Sequence, residues 1–288
     1  NLAQVHIDDM LRRRGKNYAE TAPTPLPEHA YGDNWIADNG LRMLEQFPDD
    51  QPWFMQVNFT GPHDPMDVTE RMQAAWRDVD FEPAHGTDQF DAATHRAIRQ
   101  NYAAMVENID RHLGCYLSTI AATGELENTL VVYSSDHGEM LGDHDLWAKS
   151  TYYQPSVGIP LVVAGPGVAT GQSFDGPVVL HDLAATFLEA AELATTPEMD
   201  SRSLWPVLGG GKDHRDYVVS GLVDRKRDWH LVFDGRYKLV QETDEAPMLF
   251  DLQADPWEDH DVAASEPNIV TRLAGRLKAE LARKDSDQ

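Results

Sequence analysis

The chain is poor in cysteine, in basic residues and in long apolar runs. Its one cysteine, Cys115, excludes a disulfide within the chain and leaves the redox compartment open. No stretch approaches the roughly 18–20 apolar residues that a membrane-spanning helix requires, so we expect no membrane span. The 24 basic and 48 acidic residues give a formal net charge of −24. Because like charges repel, this acidity argues against a nucleic-acid partner, although it does not exclude a small anionic substrate in a locally basic cleft.

The beginning of the chain has neither an initiating methionine nor the pattern of a signal peptide. Residues 1–15 are polar and include three arginines at positions 12–14. We therefore expect that further chain, or a leader, lies upstream. The localisation stays open between a periplasmic or secreted protein and a cytoplasmic protein of a bacterium.

Charged and polar side chains collect directly behind an apolar run. Residues 129–133 (T-L-V-V-Y) have the pattern of a buried strand, and S-S-D-H-G-E-M-L-G-D-H follows at 134–144. Open α/β sheets bind ligands at the carboxyl ends of their strands. The adjacent Asp136 and His137 can ligate one divalent metal ion there, and Lys149 just beyond can meet an anionic substrate.

A second apolar run, W-F-M-Q-V-N-F at 53–59, predicts another strand. The turn T-G-P-H-D-P follows it and presents His63 at the end of that strand. Before it, the pattern predicts a helix from about residue 35 to 47, with Asp33 or Asn34 as its N-cap.

The middle of the chain alternates predicted helices and strands. We expect a helix at 95–122, a strand at 159–164, and a helix at 182–191 with Asp182 as its cap. Strands joined through helices favour a parallel sheet. The long polar segment 66–94 is expected to form a lid on the substrate side.

The character of the sequence changes after the three glycines at 209–211. Short strands with an Asp-Gly turn between two of them, followed by an amphipathic helix, are predicted at 217–220, 229–233, 237–240 and 267–284. We therefore divide the chain into residues 1–211 and a small antiparallel subdomain with a closing helix at 212–288.

These segments together resemble the sulfatase family of the alkaline-phosphatase superfamily. The matching motifs occur in the family's order; they are G-P-H-D-P at 61–65, S-D-H-G-E at 135–139, G-D-H at 142–144 with Lys149, I-P-L-V through G-P-G at 159–167, S-L-W-P-V-L at 203–208, Y-K-L at 237–239, and L-F-D-L with D-P at 249–256. The resemblance implies an α/β fold. Residues 1–211 would be the C-terminal part of the catalytic domain, a partial three-layer α/β/α sandwich like that of alkaline phosphatase, and 212–288 a small antiparallel α+β subdomain.

The family's nucleophile has no counterpart in this chain. Type I sulfatases carry, nearer their N-terminus, a pair of metal-binding aspartates and a Cys/Ser-x-Pro-x-Arg motif whose Cys or Ser becomes formylglycine. Cys115 lies on a predicted helix with no Pro or Arg after it, so it does not match that motif. We therefore expect the chain to be the C-terminal portion of a formylglycine-dependent sulfatase. Its partner would be the N-terminal part of the same protein, either continuous with it or as a separate chain.

The resemblance also implies roles for individual residues. Asp136 and His137 would be metal ligands, with calcium as the first expectation and manganese or magnesium as alternatives. Imidazole is a softer ligand than carboxylate, which favours manganese or another transition metal. Lys149 would hold a sulfate oxygen, and His63 would contact the sulfate or protonate the leaving oxygen. His144 would line the substrate pocket or fix its own loop.

The expected activity is metal-assisted hydrolysis of a sulfate monoester, on an aryl or carbohydrate group. Two alternatives stay open. One is a phosphonate monoester or phosphodiester hydrolase on the same scaffold, because an Asp-His pair does not distinguish these esters. The other is a non-catalytic sulfatase-like fragment that binds metal or sulfated glycan.

Overall fold

The computed structural model describes residues 1–13, 18–48, 50–224 and 228–286. They form two compact units. Unit 1 comprises Asn1–Glu127 and Glu139–Ala148, and unit 2 comprises Asn128–Gly138 and Lys149–Gln288. The division at residues 211 and 212 stays a prediction.

Unit 1 is built from helices. They are α1 (Leu2–Arg13), α2 (Gly32–Leu44), α3 (Glu70–Trp76) and α4 (Ala92–Ala122). The long α4 is confirmed and begins three residues before the predicted start, because the Asp91 carboxylate accepts a hydrogen bond from Thr94 N at 2.8 Å and caps it. Both α2 and α3 pack against α4.

The expected lid at 66–94 is wrong for its first part. Met66 and Val68 are fully buried, and Met72 on α3 is 3% exposed. These side chains belong to the core cluster of unit 1 with Ile98 and Met105. The first part of this segment therefore packs against the core of unit 1 through a few apolar residues within a polar stretch.

The predicted strand at 53–59 is extended but joins no β ladder in the described part of the chain. Its odd-numbered side chains are half-buried and its even-numbered ones are exposed, with Phe54 67% exposed. The half-buried side chains pack on a cluster that includes Tyr116 and Ile120 of α4. The alternation of a strand is thus present, whereas the neighbouring strand that a ladder requires at about 4.8 Å is not among the described strands.

Unit 2 contains two sheets. The first pairs β1 (Val131–Ser134) with β2 (Leu161–Ala164) in antiparallel register, Ser134 opposite Leu161. The expected parallel arrangement of these strands is wrong. After β1 the chain returns to the same strand end, where Gly138 N donates to Ser156 O at 2.9 Å, and β2 then runs back alongside β1.

The second sheet is an antiparallel meander, as the sequence predicted. Its strands in spatial order are β3 (Val218–Val223), β4 (Asp228–Phe233), β5 (Tyr237–Glu242) and β6 (Met248–Asp251). The closing helix α8 (Pro267–Ser286) packs on β4 and β5 and places Leu273 and Leu277 in their core cluster.

Three shorter helices complete unit 2: α5 (Gln154–Val157), α6 (Asp182–Ala190) and α7 (Trp205–Leu208). The fold is mixed α/β, which confirms the predicted fold class, with antiparallel sheets. Within the residues described, no helix combines the length and the apolar character needed to cross a membrane.

Two predicted helix caps are wrong. The N-cap of α2 is Tyr31 and that of α6 is His181, and neither side chain makes a capping hydrogen bond. The expected caps, Asp33 or Asn34 for α2 and Asp182 for α6, instead lie inside their helices and are buried. Each carboxylate binds groups from another segment, as described below.

Candidate active site

Asp136 and His137 lie immediately beyond the carboxyl end of β1, as predicted. Ser135 Oγ donates to the His137 carbonyl at 2.8 Å, and His137 N donates to Asp136 Oδ1 at 3.0 Å. These bonds fold the chain into a tight turn at the strand end. The Asp136 side chain is 82% exposed and that of His137 is 33% exposed.

The hydrogen bonds around His137 favour a metal-binding tautomer. His137 Nδ1 lies 2.8 Å from the Gly138 carbonyl and donates to it, so that in the neutral ring the lone pair is on Nε2. Nε2 lies 3.6 Å from Asp136 Oδ2. Two ligands of one divalent ion lie about this far apart, and a backbone carbonyl on the other ring nitrogen is the usual support for a ligating histidine. The pair therefore fits two positions of a metal site.

Gly138 anchors this turn to α5. Besides its bond to Ser156 O, its Cα approaches the main chain so closely that a Cβ there would lie 2.0 Å from Pro155 O. No larger residue fits without moving the turn.

The following loop, 139–148 in unit 1, is closed by its own hydrogen bonds. Glu139 Oε1 accepts from Leu141 N at 3.2 Å and from Ala148 N at 2.7 Å, and Met140 N donates to Ala148 O at 2.9 Å. Left-handed φ angles recur in it; they are found at Leu141, Gly142, His144, Asp145 and Ala148. Left-handed backbone at non-glycine residues persists where surrounding contacts dictate it, and such positions gather at functional sites.

His144 is half-buried in this loop. Its amide donates to His85 O at 2.8 Å, and the two imidazole rings meet edge to face with centroids 5.8 Å apart. The neighbouring Asp143 carboxylate accepts from His85 N and from Arg99 Nη2, each at 2.8 Å. His144 and Asp143 therefore tie the loop to the rest of unit 1, and a pocket-lining role for His144 stays a prediction.

The turn that carries His63 is held by Asp33. Asp33 is 1% exposed, and its Oδ1 accepts from Thr60 N at 2.8 Å and from Gly61 N at 3.1 Å. A Cβ on Gly61 would lie 2.3 Å from Asp33 Oδ2. Asp33 thus positions the main chain two residues before His63.

His63 lies between two cis peptide bonds, those preceding Pro62 and Pro65. Its side chain is 49% exposed, and Nδ1 lies 2.8 Å from Asp64 O and 3.0 Å from Asp64 Oδ1. An imidazole held in this way keeps a fixed orientation and can still reach solvent.

Tyr18 connects the His63 turn with the loop 139–148 inside unit 1. Burial raises its pKa, and the negative charges of Glu139 and Asp64 raise it further. Its ring stacks on Trp147 with centroids 4.4 Å apart. One neutral phenol therefore lies beside both segments.

The five predicted site residues divide between the two units. His63 and His144 belong to unit 1, whereas Asp136, His137 and the half-buried Lys149 belong to unit 2. Within unit 2, Lys149 is joined to Asp136 and His137 through the segment that runs into α5.

The family model of the sulfatases matches residues 7–193, which is more than half of the chain. This chain belongs to the sulfatase family. A second model, described as the C-terminal part of N-sulphoglucosamine sulphohydrolase, matches residues 142–287.

Several curated sulfatases are similar to this sequence. An arylsulfatase K of Xenopus laevis is 32% identical over 295 residues, covering 96% of this chain and 52% of that protein. A choline-sulfatase of Rhizobium meliloti (strain 1021) is 28% identical over 256 residues, covering 78% of this chain and 49% of that protein. The chain thus spans about half the length of these curated relatives.

Solved structures share the fold. BT4656, in complex with its substrate D-glucosamine-2-N,6-O-disulfate, has a TM-score of 0.82 at 19% identity, covering 89% of this chain and 71% of that one. The phosphonate monoester hydrolase of Agrobacterium radiobacter has a TM-score of 0.79 at 23% identity, covering 93% and 64%.

Three further side chains of metal-binding types lie together in the turn that begins at the D-P motif. In the described ranges, Asp255, Asp259 and His260 are the set of three whose ligand atoms all lie within 4.8 Å of one another. Asp255 Oδ2 already accepts from His260 N at 2.9 Å, and Asp259 and His260 are exposed. Exposed acidic turns of this kind are common without any ion, so the group carries no assignment.

Reasoning from the sequence missed several residues that hold the sulfatase motifs in place. Asp33 fixes the His63 turn, and Lys238 and Glu258 hold the segment after Lys149. Lys238 lies inside the Y-K-L motif. A single lysine among apolar strand residues was the signal that could have indicated a buried, paired side chain. Asp33 resembled a helix cap, and that local pattern hid its actual partners.

Proposed function

We propose that the protein containing this chain is a sulfatase that hydrolyses a sulfate monoester with the help of a divalent metal ion. The observation that carries the proposal is the Asp136–His137 turn at the end of β1, with Nε2 and Oδ2 3.6 Å apart and Nδ1 bound to a carbonyl. Membership of the sulfatase family supports it.

Each site residue has a defined task in this proposal. Asp136 and His137 would hold part of a divalent metal site, and the ion would supply positive charge for the sulfuryl oxygens. Lys149 binds a further sulfate oxygen and offsets the charge that develops in the transition state. His63, oriented by Asp64, donates a proton to the leaving oxygen.

The ion and the nucleophile are further parts of the proposal. Calcium fits the oxygen ligand. Manganese is an alternative because the imidazole nitrogen is a softer donor, and magnesium is a further alternative as another ion that prefers oxygen. The nucleophile is a formylglycine on a segment N-terminal to Asn1. Peptide mass spectrometry of the complete protein tests this, and an unmodified Cys or Ser at that motif would contradict it.

The substrate class is an aryl or carbohydrate sulfate. Two observations support a sulfate ester as substrate. The relatives are named arylsulfatase and choline-sulfatase, and one fold neighbour binds a sulfated glucosamine, so the organic part of the ester differs among them.

The decisive test is the double substitution Asp136→Ala, His137→Ala in the complete protein, assayed on an aryl sulfate. We expect kcat/KM to fall by at least about 100-fold, as for the loss of charge stabilisation at a transition state. Asp259→Ala with His260→Ala is the matched control, since it removes one aspartate and one histidine from exposed positions outside the sulfatase motifs. Full activity in the first variant would rule out the assignment.

The second candidate is a phosphonate monoester or phosphodiester hydrolase, favoured by the fold match to the Agrobacterium enzyme. A panel of aryl sulfate, carbohydrate sulfate, phosphonate monoester and phosphodiester substrates separates the two. The highest kcat/KM on a sulfate supports the sulfatase, the highest on a phosphorus ester supports the alternative, and turnover of none indicates a non-catalytic binding protein.

A further inference from the structure

Side chains of the C-terminal region bind the segment that follows Lys149. They contact its main chain at every second residue. Trp229 Nε1 on β4 donates to Ser150 O at 3.4 Å, and Lys238 Nζ on β5 donates to Tyr152 O at 2.7 Å. Glu258, after β6, accepts from Gln154 N through Oε2 at 2.6 Å. Three side chains from separate parts of the C-terminal region thus bind the main chain of 150–154.

Two of these side chains form a buried ion pair. Lys238 Nζ contacts Glu258 Oε1, and both side chains are 1% exposed. Burial lowers the pKa of Lys238, and the negative charge of Glu258 opposes that change. Burying two charges costs about as much as their attraction returns, so stability alone does not explain the pair. The pair fixes the position of the main chain at 152–154, because each of its members also binds a main-chain group there.

The held segment leads directly to the metal-ligand turn. It runs into α5, where Ser156 O accepts from Gly138 N at 2.9 Å. Gly138 O in turn accepts from His137 Nδ1 at 2.8 Å. At its other end the segment begins at Ser150, which has a left-handed φ of 76° and directly follows Lys149.

We propose that Lys238 and Glu258 are positioning residues of the active site. By fixing the main chain of 152–154 they hold Lys149 at one end of the segment and, through Ser156 and Gly138, orient His137 at the other. The inference rests on the proposed function for the reaction it serves, whereas the contacts it invokes can be tested without any activity.

The test compares Lys238→Met and Glu258→Gln with Arg215→Met. Arg215 also belongs to unit 2 and binds the buried Asp182, so its loss removes a comparable ion pair elsewhere. Hydrogen exchange is measured by mass spectrometry over 134–140 and 150–157. We expect faster exchange of the Gly138 and Gln154 amides in Lys238→Met, a smaller change in Glu258→Gln, and wild-type exchange there in Arg215→Met.

Kinetics of the complete protein provide the functional readout. Loss of an outer support of a metal ligand typically costs 10- to 100-fold, so we expect kcat in Lys238→Met to fall by that factor. The metal concentration for half-maximal activity should rise, with little change in KM. Arg215→Met should keep the wild-type kcat.

A double variant, Lys238→Met with Glu258→Leu, separates positioning from stability. Because no charge is left buried without a partner, its unfolding midpoint should recover towards that of the wild type, whereas kcat and the Gln154 amide should not recover. Wild-type kcat and exchange in this variant would overturn the inference. If the wild type itself hydrolysed no ester while the exchange differences appeared, the proposed function would fail and the positioning contacts would stand.

Discussion

His95 on α4 is a buried histidine whose two ring nitrogens have no hydrogen-bond partner in the described structure. Burial lowers its pKa, and the positive charge of Arg99 lowers it further, against the smaller opposing effects of Asp143 and Asp91. The ring lies parallel to that of Trp147, with centroids 6.2 Å apart. A proton on this ring would therefore be destabilising.

We expect the free energy of unfolding to fall as the pH drops below about 6.5, the unfolded value for histidine. The folded pKa lies below the unfolded one, so the unfolded chain binds more protons and stability is lost towards acid. Urea denaturation between pH 7.5 and pH 5 measures this. His95→Phe keeps the stacking and should reduce the slope of the unfolding free energy against pH. The remaining slope is due to His112, whose pKa is also lowered, first by burial.

The control for this slope is His260→Gln, since that side chain is 80% exposed. It should retain the wild-type dependence of stability on pH. An unchanged slope in His95→Phe would show that His95 is not responsible.

Two glycines offer a contrast in how much room a single methyl group has. A Cβ on Gly138 would strike Pro155 O, whereas Gly114 on α4 has nothing within 4 Å of its Cβ position. We expect Gly138→Ala to destabilise the chain by about 1–3 kcal/mol through overpacking. Gly114→Ala should instead stabilise it by about 0.5–1 kcal/mol, because alanine favours the helix. Thermal denaturation of both variants tests this, and equal effects would contradict it.

At the scale of elements, Asp182 joins the start of α6 to two other segments. Its side chain is 0% exposed, and it accepts from His214 Nε2 at 2.9 Å, from Arg202 N at 2.9 Å and from Arg215. Burial by itself would raise the Asp182 pKa, but the hydrogen bonds from Arg215, His214 and the Arg202 amide outweigh it and hold the pKa at about 2.

This depressed pKa predicts a specific acid response. The contribution of Asp182 is fully present above pH 3.8 and is lost as the pH falls towards about 2. We expect Asp182→Asn to cost about 2 kcal/mol at neutral pH, the equivalent of the pKa difference, and to differ less from wild type near pH 2. Denaturation at both pH values measures it. The exposed Asp244→Asn should have no such effect, and a constant difference between pH 7 and pH 2 would count against this account.

The elements whose patterns are local could be predicted from the sequence. The helical spacing of α4 and the short apolar runs of β3, β4 and β5 predicted those elements without knowledge of their partners, whereas β6 was not predicted. The antiparallel pairing of β1 with β2 and the missing ladder at 53–59 depend on which segment lies alongside. A local apolar pattern does not carry that information.

The candidate site shows the same division. The motif containing Asp136, His137 and Lys149 could be located from the sequence, because it is a short pattern of residue types that bind metal ions and anions. Its supports could not, since Lys238 and Glu258 lie about 90 to 120 residues further along the chain and their roles arise from tertiary contacts. The rule for helix starts is local and predicts Asp33 and Asp182 as caps, whereas their actual partners lie in other segments.

At the scale of the whole molecule, the net charge of −24 places many carboxylates close together on the surface. Such self-repulsion destabilises a compact state. Raising the ionic strength from about 10 mM to about 150 mM shortens the screening length from about 30 Å to about 8 Å. We therefore expect the unfolding midpoint of this chain to rise over that range.

Equal midpoints in NaCl and choline chloride at the same ionic strength would identify screening as the cause. A rise with one salt alone would indicate binding of a particular ion. A midpoint that stayed constant or fell would contradict the prediction.

The extended segment at 53–59 has a consequence for the behaviour of this chain in concentrated solution. It alternates like a strand, carries no charged residue (W-F-M-Q-V-N-F), exposes Phe54, and joins no ladder in the described part of the chain. Proteins usually protect such edges with lysine, proline or a covering element, since an open edge templates the addition of a strand from another molecule. In a preparation of this chain alone, intermolecular β pairing, and with it aggregation, should therefore begin here.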